Sequence, residues 1–393
     1  MNELDLVLSE RICGRLRKRV NWTETSFFIL NKSFEVTKIR ANGIEREFSR
    51  AEIVDNYAFY KLADVMGKLD LEISYSGILD GSTGVFPYVR EKSTDKFYLL
   101  RIETVYYPLF VEPYSDEFME YCLDESDDAR YKVKVETEDG RMVCSNLSKA
   151  SENEFCGFMP TLAVGNYKEE RFDFGSIYVD RGSDIDLSQT VSMIHDTNEF
   201  MRRYRDVSIR DFSIITIPEG YGSFVLPGTM FITEDGLCKY RNIVHETIHT
   251  NWNPVCKKKN VQNTRFFDEA LTQYFMSRVC DFYSWEKQSN LKNEFINTFA
   301  GKIRGGYEVV PISQYAGCDY GDLSYCFGPL FFFALEECLG REALDECLHR
   351  MLEEYDKKEI DFESFRALLP NEASDVFDEY VTTNTAAKEL LGL

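Results

Sequence analysis

One five-residue run, His245-Glu246-Thr247-Ile248-His249, holds two of the four histidines of the 393-residue chain. On a helix, residues four positions apart lie on the same face, so both imidazoles can reach one metal ion. The glutamate between them can hold a metal-bound water and accept its proton. This HExxH pattern predicts two ligands to one Zn2+ ion and Glu246 as the catalytic base. Without a further ligand, a helix with two incidental histidines is the less favoured alternative.

A zinc site needs a third protein ligand and an open position for water. Residues 265–275 offer one, because their apolar residues recur with helical spacing and Asp268 and Glu269 lie near the start. Nineteen residues, 250–268, separate His249 from Glu269. Their three consecutive lysines, 257–259, are typical of a solvated loop between two helices. A returning helix would bring Asp268 or Glu269 to the histidines.

The run from Asp268 to Tyr274 resembles a motif of the aminopeptidase N (membrane alanyl aminopeptidase) family, which are gluzincin zinc metallopeptidases. In that family, HExxH is followed by an eighteen-residue gap and then Asn-Glu-Gly-(aromatic or aliphatic)-x-x-Tyr. Here Asp stands for Asn, Ala stands for Gly, and the gap is one residue longer. Tyr274 falls in register with Glu269, so the resemblance favours Glu269 over Asp268 as the third ligand. Trp252 resembles the aromatic pair that follows the second histidine.

A third block, from Tyr325 to Leu330, resembles the family's Tyr-x-x-Gly-x-Leu segment. The resemblance implies that Tyr325 donates a hydrogen bond to the oxyanion of the tetrahedral intermediate, a contribution of roughly 3–4 kcal/mol in related hydrolases. Tyr320 resembles a second active-site tyrosine of some members. The resemblance thus implies a zinc-dependent peptidase with one Zn2+ per chain and a peptide substrate.

The family binds the free α-amine of its substrate with a Gly-x-Met-Glu-Asn strand that precedes HExxH. The corresponding stretch, from Gly222 to Gly228, keeps the glycine and lacks the glutamate. Glu219 lies nearby in the sequence, and Glu103 could reach in from the first domain, so both are candidate substrate-binding residues. An aminopeptidase with a relocated amine anchor and an endopeptidase therefore both remain open. The alternative from another class is a catalytically inactive relative that binds peptides or partners through the cleft that the resemblance implies between the two domains.

The formal net charge is −22, which argues against nucleic-acid binding and against docking on an anionic membrane, since both need basic surfaces. No apolar run is long enough to cross a bilayer. The first eight residues lack the features of a signal peptide, and the 11 cysteines form no Cys-x-x-Cys pair. We therefore expect reduced thiols in a cytoplasmic protein. The oligomeric state cannot be predicted.

The first half of the chain contains short segments rich in β-branched and aromatic residues, separated by turn signals. The predicted strands are Phe27–Leu30, Phe34–Ile39, Leu69–Tyr75, Phe97–Val105, Tyr131–Glu136, Arg141–Ser145 and Phe172–Val179. Further on, helical spacing dominates, apart from short apolar strands at residues 212–217 and 229–232. Together with the resemblance, this predicts an α+β multidomain fold. An N-terminal antiparallel β-sandwich, residues 1–182, would precede a thermolysin-like zinc metallopeptidase domain, residues 183–393, mostly helical with a small sheet. The resemblance implies a short form that lacks the family's C-terminal helical domain.

Overall fold

The computed structural model of the protein describes residues 1–54, 56–81, 92–94, 97–112, 118, 121, 124–138, 140–205, 212–252, 255–256, 266–315, 320–355 and 358–393. The predicted lysine-rich loop at 257–259 lies outside these residues. The chain divides into two compact units. Unit 1 comprises Met1–Asp184 and Arg210–Glu234, and unit 2 comprises Ile185–Ile209 and Asp235–Leu393.

The strands of the described residues are numbered in chain order. They are β1 (Asn2–Leu8), β2 (Ile12–Trp22), β3 (Phe28–Asn31), β4 (Phe34–Ala41), β5 (Ile44–Glu45), β6 (Phe48–Val54), β7 (Tyr57–Leu62), β8 (Gly67–Gly77), β9 (Tyr98–Leu100), β10 (Tyr131–Thr137), β11 (Met142–Ser145), β12 (Ser148–Ser151), β13 (Glu154–Gly157), β14 (Leu162–Gly165), β15 (Tyr167–Phe172), β16 (Gly175–Asp180), β17 (Phe212–Ile217), β18 (Phe224–Leu226), β19 (Thr229–Thr233), β20 (Val255–Cys256) and β21 (Glu359–Ile360).

Unit 1 is built on an eight-stranded sheet with the order β12-β13-β10-β1-β2-β8-β4-β5. Neighbouring strands in it are antiparallel except β1 and β10, which pair in parallel. The sheet forms because apolar residues alternate with polar ones. In β1, for example, Leu4, Leu6 and Leu8 are buried while Glu3 faces solvent. Two three-stranded sheets, β11-β14-β9 and β3-β7-β6, complete this part of the unit.

A five-stranded sheet with the order β15-β16-β17-β19-β18 also belongs to unit 1. Its central strand β17 pairs in parallel with β16 and with β19, and β18 forms an antiparallel edge next to β19. Ile214 and Ile215 of β17 are both fully buried, which is typical of a strand covered on both faces. The strands predicted at 212–217 and 229–232 are therefore present.

The α-helices whose bounds lie within the described residues are numbered in chain order. They are α1 (Ser188–Met201), α2 (Glu234–Cys238), α3 (Tyr240–His249), α4 (Leu271–Phe282), α5 (Gln288–Arg304), α6 (Gly328–Leu339), α7 (Arg341–Glu354), α8 (Phe362–Leu368), α9 (Ser374–Phe377) and α10 (Thr385–Leu391). Helix α3 packs against α1 and α4, and α4 packs against α6. A wide π-type turn, Phe266–Ala270, leads directly into α4. A 3-10 turn, Gly321–Tyr325, precedes α6.

The observed elements confirm the predicted α+β fold, with differences in individual strands. The segment predicted at 97–105 is a strand only at Tyr98–Leu100, and a 3-10 turn at Ile102–Thr104 follows it. The segment predicted at 172–179 contains the end of β15, a tight turn and β16. The turn is possible because Gly175 has a φ of +143°, a conformation that disfavours side chains.

Candidate metal centre

Helix α3 places the two histidines of the HExxH run on one face. Its other face is buried through Ile243, Val244 and Ile248, so burial of these apolar side chains favours the orientation in which the histidines point away from them. The Nε2 atoms of His245 and His249 lie 3.0 Å apart. The spacing of four residues therefore brings the two imidazoles together on one face of the helix, as the sequence predicts.

Glu269 completes a triangle with these two nitrogens. Its Oε2 atom lies 3.2 Å from Nε2 of His245 and 3.3 Å from Nε2 of His249. Ligand atoms held 2.0–2.1 Å from a tetrahedral zinc ion are about 3.3–3.4 Å apart. The three atoms therefore match one face of a zinc coordination tetrahedron and leave its fourth corner for another ligand.

The hydrogen bonding of these atoms also fits a cation. Oε2 of Glu269 is buried and makes no hydrogen bond to the described residues. The two Nε2 atoms face each other, and at most one of them can donate to the other, which must then carry no hydrogen. A metal ion at the centre of the triangle would satisfy all three atoms at once. His245, His249 and Glu269 therefore fit a zinc ion.

The site is also electrostatically polarised. Burial disfavours a charge on His249, but the carboxylates of Asp268 and Glu269 outweigh it and hold the pKa of His249 well above its ordinary value. For Glu269, burial acts against ionisation, and the two histidines outweigh it, so the pKa of Glu269 lies well below its usual range. The three side chains thus form a pre-arranged set with a carboxylate available for a cation.

Glu246 follows His245 on α3 and is 9% exposed. Burial raises the pKa of Glu246, while the neighbouring histidines act in the opposite direction. A carboxylate whose pKa is shifted toward neutrality is better suited to act as a general base. This is the environment that the predicted role requires.

Asp268 approaches the same histidine from the other side. Its Oδ1 atom lies 2.9 Å from Nδ1 of His249, and Oγ1 of Thr272 lies 3.3 Å from that nitrogen. Asp268 therefore contacts the nitrogen that faces away from the triangle, whereas Glu269 contacts Nε2. Of the two carboxylates, it is thus Glu269 whose oxygen lies in the triangle, and its role as the third ligand stays a prediction.

Tyr325 lies beside the histidines, and Tyr320 is engaged elsewhere. The rings of Tyr325 and His245 have centroids 6.3 Å apart and are inclined by 24°. The turn that carries Tyr325 contacts the π-type turn that carries Glu269. The hydroxyl of Tyr320 donates to a carboxylate oxygen of Glu308 at 3.3 Å.

Several solved structures are similar to this chain over nearly its whole length. An aminopeptidase N family protein from Idiomarina loihiensis matches 100% of this chain and 78% of that chain, with a TM-score of 0.68 and 12% identity. An M1 zinc metallopeptidase from Deinococcus radiodurans matches 97% of this chain and 93% of its own, with a TM-score of 0.66 and 12% identity. Leukotriene A4 hydrolase from Saccharomyces cerevisiae matches 99% of this chain and 67% of its own, with a TM-score of 0.66 and 15% identity.

The chain has the fold of the M1 zinc metallopeptidases. The resemblance inferred from the motifs is thereby confirmed at the level of the fold. The sequence matches no protein-family model and no curated protein. The M1 fold is thus recognised here through structure and through the few residues of the three motif blocks.

Three further residues predicted for substrate binding lie in unit 1 of this M1 fold. Both carboxylate oxygens of Glu103 accept hydrogen bonds from the guanidinium of Arg101, at 2.9 and 2.6 Å. That guanidinium also stacks on the ring of Phe224, 4.1 Å from its centroid. Glu103 is therefore already paired with a cation, and its role in substrate binding stays a prediction.

The predicted roles of Glu219 and Gly222 also remain untested. Both residues lie between β17 and β18. A Cβ atom on Gly222 would meet no other atom within 4 Å, so packing does not require a glycine there.

Two features of the site were not predicted from the sequence. The contact of Asp268 with His249 was missed, although the pair Asp268-Glu269 was noted as two possible ligands. The close packing of Gly328 on Ala270 was also missed. A Cβ atom on Gly328 would lie 2.5 Å from Cβ of Ala270. Gly328 in the third motif block was the sequence signal for this contact, because a residue with a Cβ atom would collide with Ala270 there.

Among the residues that the structure describes, no helix combines the length and the apolar character needed to cross a membrane.

Proposed function

We propose that the protein is a zinc-dependent peptidase that hydrolyses peptide bonds with an aminopeptidase-like catalytic centre. The observation that carries this proposal is the triangle of His245, His249 and Glu269, whose edges of 3.0, 3.2 and 3.3 Å fit one zinc ion. The M1 fold supports it. One structure of the Deinococcus radiodurans enzyme contains the peptide Tyr-Ser-Ala as substrate, so a peptide is the natural first substrate class to test here.

When bound, zinc supplies a Lewis acid that polarises a carbonyl and lowers the pKa of water toward neutrality. His245, His249 and Glu269 would hold the ion. Glu246 accepts a proton from the attacking water at its carboxylate and passes it to the leaving amine. Tyr325 donates its hydroxyl hydrogen to the developing oxyanion. Its ring position near His245 supports this role.

The predicted cytoplasmic location is retained in the proposal. Within the described part of the chain, eight cysteines are free thiols: Cys13, Cys144, Cys156, Cys238, Cys280, Cys326, Cys338 and Cys347. Free thiols at these positions suit a reducing compartment. Peptides are the proposed partners.

The test compares the wild type with Glu246→Gln, both loaded with zinc, on a panel of peptides. The variant keeps the shape of the side chain and loses the base, so hydrolysis should fall by about 10²–10⁴-fold while bound zinc is unchanged. Glu342→Gln, an exposed change on α7, is the matched control and should behave as the wild type. Full activity in zinc-loaded Glu246→Gln would contradict the proposal. A zinc-loaded wild type that cleaves no peptide would favour the inactive, peptide-binding alternative.

The same panel resolves the question of specificity. Each peptide is offered with a free α-amine and as its N-acetylated twin. An aminopeptidase with a relocated anchor cleaves only the free-amine form, and an endopeptidase cleaves both equally. The ion pair of Glu103 with Arg101 makes Glu103 a poor acceptor for an ammonium group, so cleavage of the free-amine form alone would direct attention to Glu219 as the anchor.

A further inference from the structure

Two consecutive carboxylates hold the two nitrogens of a single imidazole. Oδ1 of Asp268 lies 2.9 Å from Nδ1 of His249, and Oε2 of Glu269 lies 3.3 Å from Nε2 of the same ring. In a regular α-helix, neighbouring side chains point about 100° apart. These two belong to the π-type turn Phe266–Ala270, a wider turn that is frequent at functional sites.

We propose that Asp268 is a positioning residue for the metal centre: it accepts the Nδ1 hydrogen of His249 and so fixes the ring and its tautomer for coordination through Nε2. This inference rests on the zinc site proposed above and extends it by a residue outside the ligand triangle. A histidine ligand whose other nitrogen donates to a carboxylate is a better donor to the metal. The hydrogen on Nδ1 also leaves the lone pair of Nε2 directed toward the ion.

Asp268 is the stronger of the two acceptors near this nitrogen. Oγ1 of Thr272 is also close to Nδ1, at 3.3 Å, but it is neutral and lies 0.4 Å farther away than the carboxylate oxygen at 2.9 Å. A hydrogen bond to an ionised acceptor is shorter and roughly twice as strong as a neutral one. Asp268 should therefore determine the orientation of the ring, with Thr272 in a supporting position.

The two histidines differ in the hydrogen-bond partners of their Nδ1 atoms. Nδ1 of His245 is buried and has no hydrogen-bond partner among the described residues. Within the described part of the chain, His249 is thus the histidine of the pair that a carboxylate orients. The organisation of the site should depend strongly on this one contact, and its loss should weaken zinc binding without removing a ligand.

The first measurement is the zinc dissociation constant of the full chain, obtained by competition with a chelator. Asp268→Ala should bind zinc about 10–100-fold more weakly than the wild type. Asp268→Asn keeps an acceptor oxygen without the charge, so its zinc affinity should lie between those of the wild type and Asp268→Ala. Asp375→Ala, which removes an exposed acid of unit 2, is the control for charge and should match the wild type. Thr272→Val should lose less zinc affinity than Asp268→Ala.

The second measurement is a readout that a merely structural role would not change. With only four histidines in the chain, the imidazole signals can be assigned in long-range proton–nitrogen spectra of zinc-loaded protein. His249 should have a protected hydrogen on Nδ1 in the wild type and lose that protection in Asp268→Ala. The side chain of Asp268 is 34% exposed, so thermal unfolding of the metal-free variant should remain close to that of the wild type.

Three results would overturn the inference. One is equal zinc affinity in Asp268→Ala and wild type. Another is a loss of zinc affinity in Thr272→Val as large as that in Asp268→Ala. The third is a zinc-loaded wild type in which His249 coordinates through Nδ1. A wild type that binds no zinc is a different failure, because it contradicts the proposed function itself.

Discussion

The indole nitrogen of Trp252 donates a hydrogen bond of 3.0 Å to the backbone carbonyl oxygen of Phe267. Trp252 lies three residues after His249, and Phe267 lies in the turn that carries Glu269. Both residues are buried, at 2% and 0% exposure. One hydrogen bond therefore joins the chain just after the histidine helix to the turn that supplies the third ligand.

Trp252→Phe should weaken this connection. The variant keeps an aromatic ring but leaves a buried carbonyl without its donor, at a cost of about 1–3 kcal/mol in the free energy of unfolding. Zinc affinity should fall as well, because Glu269 is less firmly placed. Chemical denaturation and chelator competition measure the two effects. Trp285→Phe, a half-buried tryptophan stacked on Tyr283, is the control, and an equal loss of zinc affinity there would refute the specific role.

Gly328 and Ala270 form a second connection at the same turn. Because a Cβ atom on Gly328 would lie 2.5 Å from Cβ of Ala270, Gly328→Ala should displace the turn, destabilise the protein by about 1–3 kcal/mol and weaken zinc binding. The double variant Gly328→Ala/Ala270→Gly moves the methyl group to the other partner and should recover most of both losses. Thermal unfolding and zinc titration of the four proteins form a double-mutant cycle.

Gly301→Ala is the matched control for that cycle. Gly301 lies in α5 on the surface, and a Cβ atom there would meet only the end of Arg304 at 4.0 Å. The change should be neutral or stabilising, because alanine favours a helix over glycine. A Gly328→Ala protein as stable as wild type, or a double variant no better than the single one, would show that the contact does not position the turn.

The two histidines were predictable from the sequence because a spacing of four residues is a local property of a helix. The contact of Asp268 with His249 was not, since it depends on a π-type turn that closes against distant residues. The central strand β2 was also missed. Its outward positions, Arg15, Arg17 and Arg19, suggest a solvated charged segment. In the structure they lie on a strand, remain partly exposed to solvent and pair with acids of the neighbouring strands.

Glu336 gives a pH-dependent prediction. Its carboxylate accepts hydrogen bonds of 2.7 Å from Tyr274 on α4 and from Arg341. Burial opposes its ionisation, but these two donors outweigh burial and hold the pKa of Glu336 below its ordinary value. The stabilisation is therefore fully present above the unfolded pKa, about 4.3, and is lost as the pH falls through the lower folded pKa.

Glu336→Gln should thus lower the free energy of unfolding at pH 7 by on the order of 1 kcal/mol. The difference from wild type should shrink in acid below the unfolded pKa. Urea denaturation over a pH series checks this. The adjacent Glu337→Gln is the control, because that side chain is 69% exposed and such surface pairs contribute little. A wild-type advantage that persists unchanged in acid would contradict the assignment.

The most direct test of the central claim is the zinc content of untagged protein purified without chelator. The account predicts about one zinc per chain, as in a site with three protein ligands. It also predicts loss of the metal in His245→Ala and in Glu269→Ala, each still folded. A wild type that holds no zinc even after zinc is added back would contradict the account, and so would variants that retain the metal in full.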